Sequence, residues 1–478
     1  IFLINSNMSN ITNLLSTSES DLKYFKAAGR VADQLNYNAY VIGGYVRDTL
    51  LNKNPSKDID ITVNKDYKHY AECLAKELKI KDVVFFEQFK TAKLLNEDTE
   101  FEITQMRKET YDIKSRNPEV EEASLIDDLL RRDFTINAIA MSLNKKDFGN
   151  IEDHLGGIKD LNKGIIITPL DPDETFSDDP LRMLRAIRFA ARLNFQIAPN
   201  IIDSIERMNE RIKIISAERI TDEIIKILKT DKPSIAFYLL KDTGLLKYIF
   251  PELDVMSGIE TINGKGHKDV FVHTLQVVDN SAKLSDKMKV RFSALVHDIA
   301  KPPTKKFDDI KGWSYHGHEE LGRRMIKVVA KRMKLSNKLR DYLMIMTKLH
   351  LRPIVLAKKD ITDSAVRRLM VEAGENIDDL MILCRSDITT KNTFKINKYL
   401  ANFERVEVAM KDVKLRDELK NFQSPVGGLE IMETLNLKAG KEVGIIKKAI
   451  EEAILDGEIK NNYDDAFDFM MKIKDKFI

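Results

Sequence analysis

Asp58 and Asp60 stand two positions apart in Asp58-Ile59-Asp60-Ile61-Thr62-Val63, where polar and apolar residues alternate. That alternation predicts a half-buried strand, and positions i and i+2 of a strand point to the same face. Two carboxylates on one rigid face can clamp divalent ions for phosphoryl transfer, with metals about 3.5–4 Å apart serving the attacking and leaving oxygens. In isolation such a pair is more often a solvated strand edge, so the surroundings decide. Upstream, the short apolar run Tyr40-Val41-Ile42 stops at Gly43-Gly44 and a helical pattern follows. Free N–H groups at such a turn approach phosphate oxygens closely. Arg47, one turn into that helix, adds positive charge, while its neighbour Asp48 reads as structural. A second alternating run, Phe101-Glu102-Ile103-Thr104, offers a third carboxylate, Glu102, with Arg107 after it. Glu102 reads as a metal or strand-positioning residue, or as half of a plain surface pair.

The elements that must position these groups are mixed. Residues 21–165 read as α/β, with a helix over 21–36 and the strands just named. Residues 107–124 are polar, contain Pro118 and read as a long loop, either a functional lid or a connector. From about Pro180 the pattern is helical almost to the end, with Leu181, Met183, Leu184, Ile187 and Phe189 on an apolar helix face. Residues 258–267 form a glycine-containing loop and a domain boundary, and residues 258–395 hold six of the eight histidines. The last 396–478 read as a long charged helix and a further helical unit after Pro425-Val426-Gly427-Gly428. The expected division is therefore a flexible extension over 1–20, a head over 21–165, a helical neck over 166–257, a metal-binding block over 258–395 and a helical tail over 396–478.

The whole chain of 478 residues carries 77 Lys+Arg against 75 Asp+Glu, so any nucleic acid must be held by local basic faces and not by bulk charge. With 43% hydrophobic residues, 32% charged residues and few Gly or Pro, collagen-like, low-complexity and largely disordered classes are excluded. Cys73 and Cys384 form no CxxC pair, which favours a reducing, cytoplasmic setting. No apolar run is long enough to span a membrane, and no stable protein partner is evident. The opening 1–7 lacks a Met, and Met8 reads as the natural start.

Further along, Asp179 and Arg182 lie three apart and would share a helix face, offering an acceptor and a donor to a base edge. Asp179 followed by Pro180 is also a good N-cap and first-turn pair. Arg185, Arg188 and Arg192 continue the row, some toward triphosphate or RNA and the rest toward acidic partners.

Taken in order, Gly43-Gly44-x-Val46-Arg47-Asp48, Asp58-x-Asp60, Glu102-Ile103-Thr104-x-x-Arg107 and Arg131-Arg132-Asp133-Phe134-Thr135-x-Asn137-Ala138 resemble bacterial class II tRNA nucleotidyltransferases, a family that includes bacterial poly(A) polymerases. The resemblance implies an α+β fold: a polymerase-β-like nucleotidyltransferase head, then a mostly helical neck, a helical HD domain and a helical tail. It implies that Asp58 and Asp60 bind catalytic Mg²⁺ and that Gly43, Gly44 and Arg47 steady the triphosphate. Asp133 and Asn137 would recognise the ribose, with Asp133 also suited to capping the helix that follows. Asp179 and Arg182 would select CTP and then ATP, with Arg185 and Arg188 as further nucleotide contacts, whereas Ser216-Ala217-Glu218-Arg219-Ile220 would be structural. The implied activity is addition of CCA to tRNA. Within the same family the rivals are A-adding, CC-adding or poly(A)-adding enzymes; the other rival is an HD phosphohydrolase with an RNA-binding front half.

The histidine block resembles the HD metal-phosphohydrolase pattern, which implies His273, His297, Asp298 and Asp387 as ligands of a divalent metal of unknown identity. His318 and His350 resemble the extra ligands of members that hold two metals. Adjacent His297 and Asp298 cannot face one way on an ideal helix, so a local turn must bring both inward. Residues 427–462 resemble the family's C-terminal region, where Gly440 and Gly444 would flank a turn and Lys438, Lys441, Lys447 and Lys448 would meet RNA or solvent.

Overall fold

The computed structural model describes residues 9–15, 19–55, 57–87, 90–96, 99–110, 119–358, 362–412 and 424–474. Met8 and the residues before it lie outside that set. The chain divides into two compact units, one of residues 1–223 with 235–249, the other of 224–234 with 250–478.

In the first unit the alternating runs become strands. These are β1 (Ala39–Ile42), β2 (Asp58–Val63), β3 (Asp82–Phe86), β4 (Thr91–Leu95), β5 (Glu100–Gln105), β6 (Arg107–Thr110), β7 (Glu119–Glu122), β8 (Ala140–Ser142) and β9 (Ile151–Glu152). Seven of them form one sheet in the order β3-β4-β5-β2-β1-β8-β9. β2 and β5 run parallel with Asp60 level with Glu102, while β1 lies antiparallel between β2 and β8. Ile59, Ile61 and Val63 bury one face of β2 and leave the aspartates on the other. The Glu19–Leu35 helix lies so close to the sheet that a Cβ on Gly29 would stand 2.0 Å from the Leu143 carbonyl oxygen.

Two expectations are corrected. Residues 107–124 are not simply a loop: β6 and β7 pair antiparallel, with Arg107 level with Glu122, and 111–118 lie outside the described residues. A polar hairpin has no apolar face, so periodicity gave no sign of it. The extension over 1–20 is not wholly flexible, because Ile11 and Leu15 are buried and Asn10 Nδ2 donates to Asn150 Oδ1 at 2.8 Å. The two compact units meet at 223/224, 234/235 and 249/250, and the tail belongs to the same unit as the histidine block.

The second unit is helical, apart from two short hairpins that the sequence reading missed, Thr261–Ile262 with Lys265–Gly266 and Lys306–Asp308 with Gly312–Ser314. Arg385 Nη2 reaches Glu407 on the Thr393–Asp412 helix at 2.7 Å. The tail has a small core of its own, including Val426, Ile431, Ile446, Ile450 and Met470. Gly444 lies inside the Lys441–Asp456 helix, not beside a turn, and its missing side chain faces open space.

These two glycines predict opposite responses. Gly29→Ala forces a methyl group into backbone and should cost about 1–3 kcal/mol, as overpacking does. Gly444→Ala should stabilise its helix by about 0.5–1 kcal/mol. Thermal melts of the two variants check this; equal melting temperatures would contradict the packing of the Glu19–Leu35 helix on the sheet.

Candidate active site and metal centre

The register of β2 on β5 sets Asp58, Asp60 and Glu102 on one face of the sheet. Asp58 is exposed, whereas Asp60 and Glu102 are half-buried. Burial pushes the Asp60 carboxyl up to about 6; Glu102 and Asp58 push the same way, and Arg132 opposes them. Among the described residues no ion-pair partner reaches Asp60, and Lys93 Nζ stands 3.8 Å from Glu102 Oε2. Gly43 closes one side with φ +82°, a left-handed conformation that favours glycine. A Cβ there would also stand 3.4 Å from Asp60 Oδ2 and 3.5 Å from Arg132 Nη1. Three carboxylates on one sheet face, with Asp60 half-buried and without an ion pair among the described residues, fit a divalent cation.

Arg132 is a residue the sequence reading did not single out. Its Nη2 lies 3.2 Å from the buried Asp128, and its Nε is buried with no hydrogen-bond partner. The available signal was the spacing of four between Asp128 and Arg132, which brings them together on a helix end.

Arg47, Arg185, Arg188 and Arg192 all engage acids or amides of the same unit, with Arg47 and Arg188 buried. Arg47 is 1% exposed; its Nε donates to Asp48 Oδ1 at 2.7 Å and its Nη1 to Asn137 Oδ1 at 2.6 Å. Asn137 Nδ2 donates to Asp133 Oδ1 at 2.9 Å, and Arg185 Nε donates to Asp133 Oδ2 at 2.7 Å. Arg192 Nη2 closes on Asp48 Oδ2 at 2.8 Å. Arg188 is buried against Glu223 at 2.5 Å, with its guanidinium 4.1 Å from the Phe189 ring centre. The structure thus turns Arg47, Arg185, Arg188 and Arg192 toward protein partners. Asp48 is structural, as expected. Asp133 does not cap the short Thr135–Asn137 helix at its N-cap position, which is Phe134. Burial alone would raise the Asp133 carboxyl, but Arg185 and the Asn137 hydrogen bond pull it down to about 2.

Asp179 and Arg182 do not share a helix face. Asp179 ends the Pro172–Asp178 helix, before the Leu181–Leu193 helix begins. Its Oδ1 accepts from Leu181 N at 3.1 Å, so it supports the helix start, and its Oδ2 accepts from Arg219 Nη2 at 2.6 Å. Arg182 Nη2 donates to the Arg131 carbonyl oxygen at 2.6 Å. Arg219 therefore holds Asp179, a contact that pattern matching could not find across 40 positions.

In the second unit the Met288–Val296 helix ends at His297, and turns over 297–300 bring His297 and Asp298 inward together. Asp298 divides its oxygens. Oδ2 lies 3.5 Å from His273 Nε2 and 3.1 Å from His297 Nε2; Oδ1 lies 3.3 Å from His318 Nε2 and 3.7 Å from His350 Nε2. Asp387 Oδ1 stands 3.0 Å from His273 Nε2. Each Nδ1 faces an oxygen: Thr389 Oγ1 at 3.0 Å, and the carbonyls of Ala294, Tyr315 and Thr347 at 2.9, 2.8 and 2.7 Å. The three carbonyls can only accept, which fixes Nδ1 of His297, His318 and His350 as donor and aims their Nε2 atoms at the centre, the arrangement of metal-binding imidazoles. His297 Nε2 and both Asp298 oxygens are buried without a hydrogen-bond partner, although Lys301 Nζ makes a charge contact with Oδ2 at 2.5 Å. Two groups, His273–His297–Asp298 and Asp298–His318–His350, each bring three ligand atoms within 4.8 Å of one another. The head carboxylates form no group that tight among the described residues. Burial would lower His273, but Asp298 and Asp387 raise it to about 9, whereas burial and His297 lower His350 to about 4. His316 is exposed and belongs to neither group.

Comparison with known proteins follows the same division. Residues 39–167 match the poly A polymerase head domain, 194–256 the probable RNA and SrmB-binding site of polymerase A, and 270–390 the HD domain. The multifunctional CCA protein of Shewanella frigidimarina is 31% identical over 379 residues, covering 75% of this chain and 86% of that protein. Its counterpart from Pseudoalteromonas atlantica is 34% identical over 414 residues, covering 84% of this chain and 97% of that protein. This chain belongs to the multifunctional CCA protein family. A CCA-adding enzyme in apo form II matches 97% of this chain and 98% of its own at a TM-score of 0.62 and 23% identity, which shows a common fold. A tRNA nucleotidyltransferase complexed with a primer tRNA and an incoming ATP analogue matches 80% of this chain and 99% of its own, with a TM-score of 0.56 and 26% identity. The expected α+β fold, with a nucleotidyltransferase head and an HD domain, is therefore the fold of this multifunctional CCA family member. Among the described residues no helix is long and apolar enough to cross a membrane.

The Arg185–Asp133 pair makes a pH prediction. Asp133 titrates at about 2 in the fold against 3.8 when unperturbed, so the unfolded chain binds more protons between those values. The pair's stabilisation is full above the unperturbed value and is lost as pH falls through the folded one. Arg185→Gln removes the cation beside a buried carboxylate that still accepts from Asn137, and should cost about 1–3 kcal/mol near pH 7. The gap in melting temperature between wild type and variant should shrink on acidification toward pH ~2; equal melting at pH 7 would contradict the pairing.

Proposed function

We propose that the first unit adds C, C and A to the 3′ end of tRNA from CTP and ATP, without a nucleic-acid template. The observation that carries this is the in-register pairing of Asp60 with Glu102, with Asp58 on the same face and the Gly43 turn against Asp60. The tRNA 3′-hydroxyl attacks the α-phosphate in line; the new O3′–P bond forms as the bond to pyrophosphate breaks. Mg²⁺ held by Asp58 and Asp60 supplies Lewis-acid activation and charge neutralisation when bound. Glu102 keeps that face acidic or positions its strand. The first-turn N–H groups after Gly43 and Gly44 are oriented to meet triphosphate oxygens. Asp133 and Asn137, already joined as acceptor and donor, present one unit to the ribose. Asp179 and Arg182 read the base once they leave Arg219 and the Arg131 carbonyl, so Arg219 acts as a positioning residue. Positioning and electrostatic stabilisation supply most of the rate. A tRNA substrate also carries our inference of a cytoplasmic setting.

Three tRNAs, ending before CC, after CC and after CCA, test this with CTP and ATP supplied separately. Two C additions, then one A and arrest, are expected; A addition that never stops would overturn the reading. Loss of a charge clamp worth several kcal/mol should make Asp58→Ala and Asp60→Ala slower by about 10³-fold or more.

For the second unit we infer a metal-dependent phosphohydrolase acting on terminal or cyclic phosphates. Its support is the set of four inward Nε2 atoms around the divided Asp298 carboxylate. Metal-stimulated phosphate release should vanish in Asp298→Asn while CCA addition persists. Hydrolysis that survives the substitution would count against this centre.

A further inference from the structure

The seven-stranded sheet treats its two edges differently. At β9 the early chain lies along the edge: Asn10 bridges to Asn150, and Ile11 N donates to the Gly149 carbonyl oxygen at 2.9 Å. Ile151 N donates in turn to the Ser9 carbonyl oxygen, also at 2.9 Å. The opposite edge is β3, and among the described residues no strand pairs with its outer side. Edge strands usually carry a guard against pairing with another chain, such as an inward charge, a proline, a bulge or a covering segment. β3 reads Asp82-Val83-Val84-Phe85-Phe86, without proline, and it pairs with β4 residue for residue without a bulge.

Its apolar residues are left in water. Val84, Phe85 and Phe86 are each 36–44% exposed. The register on β4 assigns them to faces. Val83 and Phe85 stand level with the buried Leu94 and Ala92, so they continue the packed face to the edge and leave it unfinished there. Val84 and Phe86 stand level with Lys93 and Thr91, on the other face, where Leu95 is exposed as well. Both faces of this edge therefore lack a neighbour.

The strand is also its own complement. Antiparallel pairing of two copies about a two-fold axis at Val84 sets Val84 opposite Val84, Val83 opposite Phe85 and Asp82 opposite Phe86. One step beyond, Lys81 comes opposite Glu87, and the two-fold repeats that pair at the other end. Lys81 and Glu87 are both exposed. Glu87 also lies 2.5 Å from Lys68 Nζ, a contact between exposed groups that contributes little and does not bar a second cation. A β-branched residue opposite an aromatic one, and opposite charges at the ends, are the pairs that stabilise antiparallel strands. No like charges meet between residues 81 and 87 in this register.

We propose that β3 pairs with β3 of a second copy of this chain, joining two head sheets into one across a two-fold axis at Val84. The axis stands perpendicular to the sheet, so the two Asp58–Asp60 faces look the same way and stay open. A single strand pair lies at the small end of specific interfaces, below about 1,200 Å² in total, so the dimer is reversible.

Sedimentation velocity of the full chain over roughly 1 to 100 µM should show a monomer–dimer equilibrium governed by mass action. Val84→Lys sets two ammonium groups face to face at the axis and should raise the dissociation constant about tenfold or more. An unchanged melting temperature establishes that this variant folds. Register is read separately by oxidation with copper phenanthroline in a Cys73→Ser background, Cys384 being buried. Opposed Cα atoms in antiparallel strands lie about 4.5–5.5 Å apart, within disulfide reach, so Val84→Cys should give a linked dimer. Lys81→Cys alone should stay unlinked, whereas its mixture with Glu87→Cys should link. A chain that is monomeric at the highest concentration, or a dimer indifferent to Val84→Lys, would overturn the proposal. So would linking by Lys81→Cys alone, or none by Val84→Cys.

Discussion

A carboxylate taken out of water needs a cation beside it, and that requirement organises both units. Asp48 has Arg47 and Arg192, Asp128 has Arg131 and Arg132, Asp133 has Arg185, and Glu223 has Arg188. In the second unit Asp379 has Lys287 and Lys289. Asp160 is buried too and accepts from Thr135 Oγ1 at 2.7 Å, but two places gather several metal-ligating groups around a carboxylate that no arginine holds. On the sheet, Asp60 is half-buried beside Asp58 and Glu102 with no ion pair among the described residues. In the helical unit, Asp298 is 1% exposed and faces four imidazoles and one lysine. The same physical demand that arginine meets elsewhere is left for a metal ion at these two.

The arginine network also ties the Leu181–Leu193 helix to the head. Arg185 and Arg192 on the Leu181–Leu193 helix reach Asp133 and Asp48 in the head, and Arg47 joins those two acids through Asn137. Removing one partner strands a buried charge, so this is a rigid connection. Residues that resemble nucleotide contacts therefore have a structural task as well, and Arg47 and Arg188 are buried in it.

Much of this was legible in the sequence, for identifiable reasons. Alternation in 58–63 and 101–104 fixed two strands, and a period of two put Asp58 and Asp60 on one side. The order of the histidines and aspartates anticipated the grouping of His273, His297, Asp298 and Asp387, and the adjacency of His297 and Asp298 required the turn that is found at 297–300. What escaped were long-range pairings and polar hairpins. Nothing local connects Arg219 to Asp179 or Arg192 to Asp48, 144 positions away. Strands of two or three residues, such as Lys265–Gly266 and Gly312–Ser314, are too short to show a period. The shared face expected of Asp179 and Arg182 failed because Pro180 separates two helices there.

Each unit thus gathers one carboxylate centre suited to divalent cations. Anomalous diffraction from crystals of the full chain grown with Mn²⁺ tests it most directly, since the ion marks its own position. A peak is expected on the sheet at Asp58 and Asp60, with separate peaks on the two sides of Asp298. An Asp58–Asp60 face that carries no ion at saturating Mn²⁺, while the histidine centre is filled, would contradict it.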